Sequence, residues 1–130
     1  MLVDPVAYRR ARAELGTAFA RLVGYLREDG PASLTAIEDA LRADNAAAMV
    51  IPAHTLKGEA AQFGAVPLAQ LAERIETYAR ACVERRDSPR DAIEDVLALR
   101  PLFDRTLALL HREAQPVPQR VPVRGFGRRA

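Results

Sequence analysis

His54 and Lys57 stand three residues apart in Ala53-His54-Thr55-Leu56-Lys57-Gly58, and Lys57 is the only lysine in a chain with eighteen arginines. On a helix this spacing sets an imidazole, a compact ammonium and a residue without a side chain close together within about one turn. Phosphoryl transfer asks for an unprotonated nucleophile, in-line access and positive charge near the equatorial oxygens. His54 and Lys57 can supply the first and third, and Gly58 leaves room for a partner's backbone to approach the ring. A glycine in mid-helix costs about 1 kcal/mol relative to alanine, so it calls for a local reason of this kind. A neutral imidazole attacks through one nitrogen while the other keeps its proton, and a carboxylate accepting that hydrogen bond fixes the tautomer. Glu76, at the flank of the next helix's apolar stripe, is a candidate for that role; spacing alone fits an ordinary solvated glutamate equally well.

Other chemistries fit poorly. No second His or Cys sits at metal-ligand spacing around His54, and His111 reads as a solvent-facing or helix-end residue near the C-terminal dipole. A Ser-His-Asp hydrolase finds still less support. With no Gly-rich phosphate loop the chain has no place for ATP, so a phosphoryl group must come from another protein.

The elements that must position these residues are helical. Asp4-Pro5 gives an N-cap and a first-turn proline, and Leu15, Ala18, Phe19, Leu22, Val23 and Leu26 follow with helical spacing. This predicts one long helix, or a short and a long one, ending at Asp29-Gly30-Pro31. Ser33 caps the next helix, with Leu34, Ile37, Ala40 and Leu41 as its stripe, up to a break at Ala43-Asp44-Asn45. Asn45 caps the helix carrying His54, which runs to about Phe63-Gly64 with Gly64 as its stop. Pro67 opens a helix with Leu68, Leu71, Ala72, Ile75, Tyr78, Ala79 and Cys82 on one face. Ser88-Pro89, with Asp91 placed for a capping box, opens the last one, whose face is Ile93, Val96, Leu97, Phe103, Leu107 and Leu110. Pro52 and Pro101 fall inside predicted helices and should kink them or mark displaced boundaries.

No β-branched run alternates polar and apolar, so the expected fold is all-α: an antiparallel up-down-up-down four-helix bundle with an extra N-terminal helical segment across one end. Residues 1–115 form the bundle and 116–130 a flexible tail rich in proline, glycine and arginine. Within α-helical geometry, Met49, Ala53, Leu56, Ala60 and Phe63 share one stripe, and His54 lies about 140° from its centre, facing outward. Val50, Lys57, Gly58 and Ala61, with Ile51, then form an exposed surface unusually poor in charge.

Composition sets the outer limits. At 130 residues there is room for one domain and a tail, and none for a nucleotide-binding kinase. The net charge of +2 comes from Arg120, Arg124, Arg128 and Arg129; without them the remaining chain is near −2, which is no nucleic-acid footprint. The single cysteine, Cys82, reads as a small core residue. Neither a signal peptide nor an apolar run of about 18 residues is found, so the expectation is a cytoplasmic protein without membrane contact.

At Ala53-His54-Thr55-Leu56-Lys57-Gly58, followed by Phe63-Gly64, Leu68, Leu71 and Ile75-Glu76, the chain resembles the histidine-containing phosphotransfer (HPt) domain of bacterial phosphorelays. The likeness covers roughly residues 33–86. It departs at Pro52 and at Glu59-Ala60, where many members carry a serine after the glycine. The resemblance implies a four-helix bundle in which His54 accepts a phosphoryl group from a receiver-domain aspartate and passes it to the aspartate of a response regulator. It further implies that Lys57 steadies the phosphoryl oxygens, Gly58 gives access and Glu76 hydrogen-bonds the imidazole. Partners would be receiver domains of a hybrid sensor kinase or of a response regulator. Magnesium would sit on the receiver, leaving this chain a monomeric phosphocarrier with no cofactor and no kinase activity of its own. The competing reading is a helical adaptor that binds a receiver or kinase without accepting phosphate; a tail-driven polyanion binder comes third.

Overall fold

A computed structural model describes residues 1–114, and the expected tail lies outside the described residues. Helix α1 spans Pro5–Leu15, α2 Phe19–Arg42, α3 Ala46–Gln62, α4 Val66–Arg85 and α5 Ile93–Ala114, with 3-10 turns at Gly16–Ala18 and Pro89–Ala92. The described residues contain no strand. Each of the four long helices packs against two others, α2 on α3, α3 on α4, α4 on α5 and α5 back on α2, closing an antiparallel bundle around one apolar core.

Local chemistry sets most boundaries. The Asp4 carboxylate accepts from the Ala7 N–H at 2.8 Å and the Asn45 side chain from Ala48 N–H at 3.1 Å, each satisfying an amide that the first helical turn leaves unpaired. Gly64, at φ +70°, ends α3: its N–H reaches Ala61 O and the Ala65 N–H reaches Ala60 O, a Schellman closure. Asp44, at φ 56°, closes α2 with the same pair of bonds to Leu41 and Ala40. The Ser88 hydroxyl accepts from Arg90 N–H and donates to Asp44, tying the α4–α5 connection to the α2–α3 turn. Because Pro89–Ala92 winds as a 3-10 turn, α5 starts at Ile93 rather than at Pro89.

The bundle corrects three expectations. Asp29-Gly30-Pro31 is no boundary and Ser33 no cap, because α2 runs straight through them. Phe19, Val23, Leu26, Leu34, Ile37 and Ala40 form one buried stripe across the proline, and that burial outweighs the single amide Pro31 lacks. Gly30 serves packing instead: a Cβ there would stand 2.4 Å from the Phe103 ring of α5. Gly30→Ala should therefore destabilise the protein by about 1–2 kcal/mol in urea unfolding, despite alanine's better helix propensity. In α5, Ile93 and Leu97 are exposed, and the buried face is Val96, Leu99, Phe103, Thr106 and Leu110. Thr106 enters the core because its hydroxyl donates to Leu102 O at 2.7 Å. Thirdly, Val50 is buried, only 9% exposed, and leaves the outward surface that the helical projection gave it. Pro52 and Pro101 do lie inside α3 and α5.

The N-terminal segment covers one end as expected. The Asp4 N–H donates to Gly64 O at 2.9 Å, and α1 passes so close that a Cβ on Gly64 would meet Tyr8 N at 2.6 Å. Tyr8 stacks edge-on against Phe19, which meets Phe63 in the same way, while the Arg12 guanidinium lies 4.5 Å from the Phe19 ring centre.

Candidate functional site

The Asn45 cap and the Gly64 stop fix the register of α3, and the buried side chains of Met49, Ala53, Leu56 and Ala60 turn its opposite face to solvent. His54 stands on that face with its side chain 58% exposed. Its Nδ1 lies 3.0 Å from Glu76 Oε2 on α4. Glu76 itself is buried, 5% exposed, on a helix whose Leu68, Leu71, Ala72, Ile75 and Ala79 fill the core.

Glu76 gathers the whole cluster. Lys57 Nζ pairs with Oε1 at 2.9 Å, while Arg80 Nε and Nη2 both reach Oε2, at 3.0 and 2.8 Å. Burial alone would push the Glu76 carboxyl up, but the Lys57 ammonium beside Oε1, hydrogen bonds to Oε2 from Arg80 and His54, and the charge at His54 hold it at about 2. An ionised carboxylate can only accept, so the Nδ1 facing it must donate. Neutral His54 therefore carries its proton on Nδ1, which leaves the Nε2 lone pair available.

That low carboxyl value makes a stability prediction. Its ordinary value is 4.5, so Glu76 contributes stability that is complete above pH 4.5 and is lost as pH falls towards 2. Urea unfolding at pH 7, 4.5 and 2.5 should show a loss of about 1–3 kcal/mol in excess of that for Glu76→Gln, the half-exposed partners screening part of the full linkage.

The face around His54 is open. Gly58 is exposed, and a Cβ built on it meets nothing within 4 Å, so no internal contact of α3 requires a glycine there. Ile51 is exposed on the same helix, and a groove of about 380 Å³ with Ala7, Lys57, Gly58, Ala61, Val66 and Gln70 in its walls runs towards α1. Glu59 is different in character. Burial and the negative charge of Asp29 push its carboxyl up, and its Oε1 is buried with no hydrogen-bond partner.

Of the four residues singled out by sequence, His54, Lys57 and Glu76 thus come together, and Gly58 adjoins them. Sequence reasoning missed Arg80, although Glu76 and Arg80 stand at the i, i+4 spacing of a helical ion pair. A family model, that of the Hpt domain, matches residues 21–113. The chain belongs to the Hpt family. No curated protein and no solved structure matches it. As an Hpt domain it has a phosphotransfer-type function in two-component signalling, with receiver or kinase partners. Helix α1, which contributes Ala7 to the groove, lies outside the matched span. Among the described residues of this Hpt domain, no helix is long and apolar enough to cross a membrane.

Proposed function

We propose that this Hpt domain is a phosphorelay intermediate: His54 takes a phosphoryl group from a receiver-domain aspartate and hands it to the aspartate of a response regulator. The observation that carries the reading is the exposed imidazole whose Nδ1 is held by an ionised, buried Glu76. The Nε2 lone pair forms the bond to phosphorus as the bond from phosphorus to the aspartyl oxygen breaks, and that electron pair returns to the aspartate. The Nδ1 proton stays in place, and the positive charge that develops on the ring faces Glu76 Oε2. Lys57, on the other carboxylate oxygen, supplies a cation for the phosphoryl oxygens, and Gly58 lets the receiver's backbone come close. The receiver brings its own magnesium; this chain contributes the nucleophile and its setting.

Incubation with a receiver labelled on its aspartyl phosphate tests the proposal. Label should move to this chain in an acid-labile, base-stable adduct, and adding a second receiver should discharge it. Binding of the receiver without any label on the chain would instead establish the adaptor reading.

A further inference from the structure

We propose that Arg80 is a positioning residue: it locks Glu76 onto the His54 proton and thereby frees Lys57 to leave Glu76 for the incoming phosphoryl group. The inference rests on His54 being the phosphoryl acceptor and adds a division of labour between the two cations. Lys57 holds Oε1, whereas Arg80 holds Oε2, the same oxygen that receives His54 Nδ1. The guanidinium approaches through both Nε and Nη2, and its planar fork fixes the position of that oxygen more firmly than a single ammonium contact would. It reaches back one turn along the same helix, so the lock is in place before any partner arrives.

The charges explain why two cations are needed. A carboxylate as buried as Glu76 becomes costly if its only counter-charge departs. With Arg80 in place, Lys57 can turn to the phosphoryl oxygens while Glu76 stays paired, ionised and hydrogen-bonded to Nδ1. Without Arg80, Lys57 would be confined to Glu76, and Oε2 would lose its anchor. The side chains differ accordingly: Arg80 is 57% exposed yet holds Glu76 by two nitrogens, and Lys57 is 30% exposed with a single contact.

The test compares the parent, Arg80→Ala and Arg80→Lys by two measurements. Nitrogen-15 NMR of the His54 ring reads the tautomer without any phosphorylation. The parent should hold the proton on Nδ1, the alanine variant should shift towards the Nε2-protonated form favoured by free imidazole side chains, and lysine should restore the parent state only in part. Labelling by phosphoramidate, a donor too small to need a docking surface, should slow roughly tenfold in Arg80→Ala. An unchanged tautomer or an unchanged labelling rate in the alanine variant overturns the proposal. Failure of the parent to take label on His54 would instead overturn the phosphocarrier reading, and the NMR comparison would still decide whether Arg80 sets the tautomer. Arg80 is half exposed at the surface, so the variants should fold normally, which circular dichroism checks.

Discussion

His54→Gln is expected to remain folded and to accept no phosphoryl group from a labelled receiver, while still binding that receiver. The fold should survive because the side chain is more than half exposed and fills no part of the core. Glu76 also keeps Lys57 and Arg80, so the substitution leaves no buried charge without a partner. A glutamine amide can occupy much of the imidazole's volume and can donate to Glu76. It has no nitrogen lone pair free to attack phosphorus, because that pair is delocalised into the carbonyl. The expected result is complete loss of acid-labile label with an unchanged melting curve. A labelled glutamine variant would mean that the phosphoryl group resides elsewhere on the chain.

The part of this site legible in sequence is the part written in helical spacing. His54, Lys57 and Gly58 lie within about one turn of a single helix, so periodicity alone gave their mutual placement and the outward direction of the imidazole. The caps at Asp4, Asn45 and Ser88 and the stop at Gly64 were legible because each depends on a side chain or a positive φ at one position. Glu76 was ambiguous because its burial depends on how α4 rotates against α3, which local spacing does not encode. Val50 failed for a related reason: it borders the stripe, and the packed bundle places it in the core cluster although its own helical projection points it outward. Gly30-Pro31 misled in the opposite direction, since two strong local breakers were overridden by a core stripe that continues past them and by the Phe103 ring that occupies the space of the missing side chain.

Gly30 and Gly58 therefore make opposite predictions, and the contrast isolates what the open face is for. A side chain at Gly30 collides with the interior, whereas one at Gly58 projects into empty space one turn beyond His54. Gly58→Leu should raise stability by roughly 0.5–1 kcal/mol, because a good helix former replaces a poor one at no packing cost. The same leucine places four carbons on the surface a receiver must approach. Transfer from a phosphorylated receiver should then fall by about 100-fold, since an approach displaced by an ångström is enough to lose in-line geometry. Phosphoramidate, needing no docking surface, should label His54 in Gly58→Leu within about twofold of the parent rate. A variant both more stable and less active towards a protein donor, yet intact towards a small one, places the glycine's purpose outside the bundle. Equal transfer from the receiver in parent and variant would show that the receiver reaches His54 without passing over Gly58, and the glycine would lose its role in access.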